Sequence, residues 1–419
     1  MPTARGLGVL LGAALLWGVG RALGVDELLV VAAVAAALPP LALLGVRLGG
    51  SGLAVRRRLR TDRLTHGTQE RVALDLRNDG RLPTTTLLAH EEVPAELVAA
   101  PPRWAVAGLA PGGTVSLSYA ITATRRGRHQ LGPAELTMTD RFGLALRRRR
   151  TTTTGAVLVY PVIEALPEAL RLPQQRGSTD GARHRLLSLG DEFHTLREYV
   201  EGDDLRQVHW PSTARRGKVM VRQHELPWHA EATVLVDART RAHRGHGDAS
   251  TLEATISGAA SVVRHLAERR FLLRLTTEAD AHPPRIHDAE ALLERLATLE
   301  ASPERSLAGL GERLRRSAGE GLLAACVTPP PGHEPVADAP DTRALLQAGS
   351  GFGARVAVVS HTPDDAPRAE ELVALLRAAS WRAVARPVGT PLATVWPGLA
   401  GRGAPSGAPA SAPGEVGQA

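Results

Sequence analysis

The chain begins with two long stretches of apolar residues. Residues 7–20 carry no charged side chain, and neither do residues 28–46. A helix needs roughly 20 apolar residues to cross the hydrocarbon core of a bilayer, and the second stretch has nearly this length. The first reaches it if Arg21 extends its guanidinium to the interface. Two membrane-spanning helices are therefore predicted, with Pro39 and Pro40 bending the second.

A cleaved signal peptide is the alternative for the first stretch. Its amino-terminal region carries only Arg5, it lacks a small-x-small cleavage pattern, and a second apolar run follows at once. The link between the two stretches holds one arginine against Asp26 and Glu27, whereas Arg56, Arg57 and Arg58 follow the second stretch. Positive charge is retained on the cytoplasmic side, so the soluble part is predicted to lie in the cytoplasm beneath the cell membrane.

The next region, residues 51–155, alternates apolar and polar side chains in short runs. The run at residues 70–77 ends on Asn78, Asp79 and Gly80, which is a strong turn signal. Several strands at this spacing predict an immunoglobulin-like β-sandwich. No cluster of acids, histidines or serines recurs in it, so a spacer or interaction module is expected here.

From residue 231 to residue 400, buried-strand runs alternate with amphipathic helical patterns. Strands are predicted at residues 271–277, 321–328 and 354–362, with helices between them. This alternation predicts a parallel sheet covered by helices on both faces. Residues 401–419 are rich in glycine, alanine, proline and serine, and predict a disordered tail.

The common signatures of nucleotide, hydrolase and zinc-protease chemistry are missing. The chain has no glycine-rich dinucleotide fingerprint, no phosphate-binding loop, no GxSxG elbow and no HExxH. No cofactor is therefore expected. The single cysteine, Cys326, lies in an apolar run and predicts a buried, unreactive thiol.

The net charge of +7 is concentrated in two arginine clusters. The clusters contain no interleaved aromatic residues, which base stacking would need, so nucleic acid is not expected as a partner. A basic cluster after an apolar segment is more typical of a membrane surface, where each arginine contributes about 1 kcal/mol near anionic lipid. The members are Arg47, Arg56, Arg57, Arg58, Arg60 and Arg63, then Arg147 to Arg150.

Asp237 follows the first strand of the α/β region, where open parallel sheets bind ligands. A metal-ion-dependent adhesion site would place DxSxS there, but Arg239 and Arg241 stand at both serine positions. Guanidinium groups disfavour a bound cation, so Asp237 is interpreted as a degenerate adhesion-site position and no metal is predicted. A small-ligand receptor near Asp237, with Thr240 as a polar contact, remains an alternative.

Residues 156–230 hold a densely charged segment that predicts two strands joined by a turn and a short helix ended by Gly217. Its acids and guanidiniums can form bidentate pairs that fix the fold or present a docking face. A catalytic use of Asp203 and Asp204, with Ser212 or Thr213 as nucleophile, is the alternative, and no catalytic residue is assigned. Four histidines, at 194, 209, 224 and 229, lack zinc-site spacing. The candidate network residues are Arg197, Glu198, Tyr199, Gly202, Asp203, Asp204, Arg206, Trp210, Ala214, Arg215 and Gly217.

The segment "GDEFHTLREYVEGDDLRQVHWPSTARRG" resembles the signature of the domain of unknown function 58 family. Upstream, "RRGRHQLGP" and "TDRFGL" resemble two further elements of that family. His129, Arg141 and Pro211 depart from its usual pattern.

The resemblance implies a two-helix membrane anchor, a β-sandwich and a von Willebrand factor A-like, Rossmann-like α/β domain. It also implies a MoxR-type AAA+ ATPase as partner, with a transglutaminase-like membrane protein as a further one. We therefore expect a membrane-anchored adaptor that acts in complex assembly or envelope maturation. An enzyme acting on an envelope precursor is the competing hypothesis.

Overall fold

The computed structural model describes residues 1–168, 194–199, 208, 210–224, 231–280, 288–304, 306–307, 309–317 and 321–400. The chain divides into two compact units. The first comprises Met1–Ile163 together with Leu293–Glu300, and the second comprises Glu164–Leu292 and Ala301–Ala419. The predicted tail, residues 401–419, lies outside the described residues.

Two apolar helices open the first unit, α1 (Ala4–Leu23) and α2 (Asp26–Gly49). Both are long and apolar enough to cross a membrane. The Thr3 hydroxyl caps α1 by accepting the Gly6 N–H at 3.1 Å. Gly24 ends it in the left-handed region at a φ of 68°, which allows α2 to begin two residues later. The prediction of two consecutive apolar helices is confirmed, and α2 continues through Pro39 and Pro40.

Ten strands complete the first unit as three sheets. Their orders are β1-β3-β6, β2-β10-β7 and β5-β4-β8-β9. Alternation along β3 points Val72, Leu74 and Leu76 inward, and all three are fully buried. The sheets enclose two apolar cores, as a sandwich-like arrangement requires. The bounds are β1 (Leu53–Arg58), β2 (Arg63–Thr65), β3 (Gln69–Asn78), β4 (Leu87–Glu91), β5 (Arg103–Val106), β6 (Thr114–Thr122), β7 (Gly127–Leu131), β8 (Ala134–Thr139), β9 (Leu146–Arg150) and β10 (Gly155–Tyr160).

The second unit contains an antiparallel hairpin and a five-stranded parallel sheet. The sheet order is β14-β13-β15-β16-β17, so the connections reverse direction at β13. Its helices bury apolar faces against the strands, as the sequence pattern predicts. Helix α5 (Ala289–Ala297) is divided between the two units after Leu292. The other bounds are β11 (His194–Glu198), α3 (Trp210–Arg216), β12 (Met220–His224), β13 (Glu231–Val236), α4 (Thr251–Glu268), β14 (Leu272–Thr277), α6 (Leu310–Ser317), β15 (Leu322–Val327), α7 (Pro340–Gly349), β16 (Ala354–His361), α8 (Ala366–Ala378), β17 (Arg382–Pro387) and α9 (Leu392–Val395).

The sequence pattern did not predict helix α6. Arginines and a glutamate interrupt its apolar positions, yet Leu310 and Leu314 are buried one turn apart. Cys326 lies in β15 and is buried, as predicted. Burial raises the pKa of its thiol to about 12, which keeps the thiol protonated at neutral pH.

Candidate docking helix and the carboxyl edge of the parallel sheet

The charged segment folds into the predicted hairpin with a helix between its strands. β11 and β12 pair antiparallel, and Tyr199 extends the ladder by donating its N–H to the Val219 carbonyl at 2.8 Å. Gly217 ends α3 at a φ of 66°, where a side chain would be strained. The Thr213 hydroxyl accepts the Met220 N–H at 3.0 Å and so joins the helix to β12.

Helix α3 presents most of its side chains to solvent. Trp210, its first residue, is 69% exposed. Ala214, Arg215 and Arg216 are also exposed, while Met220 beyond the helix is buried. Tryptophan and arginine are the residue types that protein-binding hot spots favour, and α3 exposes one tryptophan and two arginines. We call Trp210, Arg215 and Arg216 the docking triplet.

The predicted network residues divide between described and undescribed parts of the chain. Arg197 and Glu198 lie in β11, and Trp210, Ala214 and Arg215 lie in α3. Gly202, Asp203, Asp204 and Arg206 lie outside the described residues. The predicted ion pairing of Asp203 and Asp204 therefore stays a prediction.

Cross-strand pairing brings together two histidines that the sequence did not pair. His194 stands opposite His224 in the β11–β12 ladder. Their separation by thirty positions along the chain hides this register from the sequence. His209 and His229 lie outside the described residues.

The carboxyl edge of β13 is occupied by an internal ion pair. Asp237 accepts two hydrogen bonds from the Arg239 guanidinium, each at 2.8 Å, in a bidentate arrangement. The third guanidinium nitrogen of Arg239 lies 2.7 Å from the carboxylate of Asp341, near the start of α7. The side chains of Asp237 and Arg239 are each 1% exposed. Arg239 thus bridges two carboxylates at the position where the sheet order reverses.

Electrostatics keep this bridge charged. Burial alone disfavours the charged guanidinium, but hydrogen bonds and charge from Asp237 and Asp341 outweigh it and raise the pKa of Arg239 above its ordinary value. Asp341 also accepts the Leu307 N–H at 3.1 Å, which fixes the second carboxylate. The two carboxylates therefore share one counter-charge that the chain itself supplies.

A third acid, Glu278, lies on the other side of Asp237, after β14. One of its oxygens accepts the Ala238 N–H at 3.1 Å. Burial is the main reason that the pKa of Glu278 is raised. The hydrogen bond from the Ala238 N–H opposes this shift, and the negative charge of Asp237 adds to it. His243 closes the same edge, since one ring nitrogen lies 2.8 Å from the Asp237 carbonyl oxygen and the other lies 3.2 Å from the Thr251 hydroxyl. Burial lowers the pKa of His243, which favours the neutral imidazole.

Open α/β sheets bind ligands in the crevice beside the strand where the order reverses. Here Arg239 fills that place, and a parallel bridge to Ser302 covers it further: the Thr240 N–H donates to the Ser302 carbonyl at 2.9 Å. Among the described residues, no group of three or more acids, histidines or cysteines is arranged to hold a metal ion. Sequence reasoning identified Asp237 but missed Asp341, which lies far along the chain in an unrelated helix.

One of the two arginine clusters is partly internal. Arg57 donates to Glu91 at 2.5 Å inside the sandwich, with side-chain exposures of 3% and 0%. Burial raises the pKa of Glu91, while the hydrogen bond and charge of Arg57 act in the opposite direction. Arg57 therefore does not contribute to a lipid-facing surface.

Residues 195–318 match the family model described as Protein of unknown function DUF58. No curated protein matches the chain. The CARDB domain of the PF1109 protein from Pyrococcus furiosus is 17% identical, with a TM-score of 0.20, over 26% of this chain and 86% of that chain. A fragment of alpha-2-macroglobulin from Escherichia coli is 19% identical, with a TM-score of 0.24, over 28% of this chain and 18% of that chain. The matched residues include the docking triplet, Asp237 and Arg239, whereas Asp341 lies beyond them.

Proposed function

We propose that this protein is a membrane-anchored adaptor, because residues 195–318 match the family model described as Protein of unknown function DUF58. Its second unit, a von Willebrand factor A-like domain, is presented at the inner surface of the cell membrane to a MoxR-type AAA+ ATPase. The complex acts in assembly or envelope maturation, with a transglutaminase-like membrane protein as a further partner. The family resemblance supplies the class of partner.

The exposure of Trp210 is the observation that carries this proposal. Burying an indole on binding removes a large apolar area from water, and tryptophan and arginine dominate the energetics of most interfaces. Arg215 and Arg216 are exposed in the last turn of the same helix, so the complementary surface is acidic. Helix α3 thus supplies an aromatic anchor at its first residue and basic side chains in its last turn.

The two apolar helices support the anchoring part of the proposal. Each has the length that a bilayer requires, 20 residues in α1 and 24 in α2. The excess of arginine after α2 favours a cytoplasmic position for the units that follow.

The carboxyl edge of β13 favours an adaptor over a small-ligand receptor. A ligand at Asp237 would have to displace the Arg239 guanidinium from two carboxylates, and this would leave a buried charge without its partner. The ion pairs at this edge therefore stabilise the fold of the α/β unit, and we assign partner binding to the exposed helix α3 instead.

The proposal is tested by crosslinking native membranes and purifying the full-length protein, followed by identification of captured ATPases. Trp210→Ala should lose roughly 30-fold in affinity for the ATPase, the factor that corresponds to a 2 kcal/mol hot spot. Leu88→Ala removes another exposed apolar side chain, 54% exposed on the sandwich, and is the matched control. Equal capture by Trp210→Ala and wild type, or capture of no AAA+ ATPase by the wild type, would contradict the proposal.

A further inference from the structure

The first three residues of the chain are fixed onto the β-sandwich. The Met1 amino group donates to the Leu146 carbonyl at 2.6 Å, and the Leu146 N–H donates back to the Met1 carbonyl at 2.9 Å. The Thr3 N–H donates to the Leu144 carbonyl at 2.9 Å. Helix α1 therefore begins directly against the segment that leads into β9.

The far end of the helical pair is fixed to the same part of the sandwich. Val46, in the last turns of α2, is 1% exposed and belongs to a sandwich core. Arg147 donates to the Arg47 carbonyl at 2.5 Å, and Arg149 donates to the Gly50 carbonyl at 3.3 Å. These guanidiniums cap the carboxyl end of α2, where the helix dipole favours positive charge.

Between these two attachments lies the turn at residues 140–145. The Asp140 carboxylate accepts the Phe142 N–H at 2.9 Å and the Ala145 N–H at 2.6 Å, so it closes the turn from within. Gly143 has a φ of 68°, and its carbonyl accepts the Thr3 hydroxyl at 2.5 Å. A turn held by this many bonds is well ordered, yet its Phe142 side chain is 73% exposed.

Further apolar and basic side chains surround the helix ends. Leu48 is 51% exposed and Leu82 is 48% exposed. Pro83 follows Leu82, and its carbonyl lies 2.8 Å from where a Cβ on Gly49 would stand, which places this loop against the end of α2. Exposed arginines in or next to these segments of the chain are Arg5, Arg47, Arg81 and Arg141.

We propose that the 140–145 turn is a membrane-contacting wedge, with Phe142 inserted into the interfacial zone of an anionic bilayer. This inference rests on the proposed membrane anchoring. If α1 and α2 cross the bilayer, the plane of the lipid headgroups passes where both helices meet the sandwich. Aromatic rings are favoured in that zone, and the surrounding guanidinium groups bind lipid phosphates. The sandwich thereby rests on the lipid surface in one orientation.

The experiment places an environment-sensitive fluorophore at single cysteines in the full-length protein, reconstituted in vesicles of phosphatidylcholine and anionic phosphatidylglycerol. Native Cys326 is buried, so wild type serves as the labelling control. The probed positions are Phe142→Cys, Val34→Cys in the middle of α2, and Gln69→Cys at the start of β3. Gln69 is nine residues along β3 from Asn78, which pairs with Leu53 just after α2. The strand therefore carries it about 30 Å from that end of the sandwich.

Lipids brominated at a shallow acyl position should quench the probe at residue 142, and the probe at residue 69 should stay unquenched with water-exposed emission. Deeply brominated lipids should quench the probe at residue 34. If residue 34 is quenched and residue 142 is not, the wedge is wrong and the anchor stands. If the probe at residue 34 is not quenched, the membrane anchoring is wrong, and the proposed wedge, which depends on the anchoring, is wrong as well. Equal quenching at residues 69 and 142 would also overturn the wedge.

Discussion

At the scale of single residues, Arg239 joins two buried carboxylates at the carboxyl edge of β13. Its guanidinium reaches the carboxylates of Asp237 and Asp341 at distances of 2.7–2.8 Å in a site almost closed to water. A buried guanidinium is tolerated there because each of its charged contacts has the opposite sign. The same contacts occupy oxygen atoms that a divalent cation would use.

Replacing Arg239 by methionine should destabilise the second unit by about 3–5 kcal/mol, because two buried carboxylates lose their shared cation. Arg241→Ala is the matched control. Arg241 lies 3.7 Å from Asp341, but its side chain is 49% exposed, and exposed pairs contribute at most about 1 kcal/mol. Denaturant unfolding of both variants checks the prediction, and similar losses for the two would contradict it.

Glu278, at the same edge, makes the folding stability of the protein depend on pH. Since the folded-state pKa of this acid is raised, the folded protein binds more protons than the unfolded chain above the ordinary pKa of 4.5. The contribution of Glu278 to stability is therefore present at low pH and is lost as the pH rises through its folded pKa. Glu278→Gln keeps an acceptor for the Ala238 N–H but does not titrate.

The stability of wild type relative to Glu278→Gln should accordingly fall as the pH rises above about 4.5. Unfolding of both proteins across pH 4 to 8 measures the difference directly. A constant difference, or one that grows in favour of wild type, would show that Glu278 does not titrate as its burial implies.

At the scale of elements, Glu164 fixes the start of the second unit onto the parallel sheet. Its carboxylate accepts from Arg386 of β17 at 2.9 Å and from the Ala393 N–H at 2.9 Å, and its own N–H donates to the Ser261 hydroxyl at 3.0 Å. Burial lowers the pKa of Arg386, opposed first by the charge of Glu164. One residue therefore joins α4, β17 and the start of α9.

Glu164→Ala should cost about 3–5 kcal/mol of unfolding free energy, since Arg386 would stay buried without its counter-charge. Glu168→Ala offers a control only four residues away, because its carboxylate pairs with Arg269 at 3.4 Å while 86% exposed. That variant should lie within about 1 kcal/mol of wild type. Thermal or urea unfolding distinguishes the two variants. A loss of unfolding free energy for Glu164→Ala as small as that for Glu168→Ala would contradict the structural role of Glu164.

The regular elements could be predicted from sequence because their periodicity is local. The run around Leu322 and Cys326 is apolar on both faces, as a central parallel strand requires, and α4 has one apolar face against it. Helix α6 could not be predicted because it has only about two turns and half of its eight residues are charged.

The site contacts could not be predicted, because they join residues distant in the chain. Nothing around Asp341 indicates that it shares a guanidinium with Asp237, and nothing around Met1 indicates that it pairs with Leu146. The exposure of Trp210 could not be predicted either. A tryptophan among charged residues can be buried within a polar network or exposed as a docking residue, and the sequence does not distinguish the two.

At the scale of the whole molecule, the proposed function gives each unit a distinct role. The first unit joins two apolar helices to a sandwich through shared core residues such as Val46, so the helical pair and the sandwich form a single folded body. The second unit carries most of the family-matched segment, including the ion-paired sheet edge at Asp237 and the exposed helix α3. We propose that the first unit anchors and orients, and that the second binds the partner.

The most direct test of the adaptor is a photo-crosslinking amino acid in place of Ala214 in the full-length protein, activated in native membranes. Ala214 is exposed and lies one helical turn from Trp210, so Trp210 itself is kept. We expect a crosslink to an AAA+ ATPase that is absent when the same group replaces Leu88, an exposed apolar position on the sandwich. Crosslinks at position 214 that contain no AAA+ ATPase, or the same ATPase captured equally from position 88, would contradict the proposed adaptor.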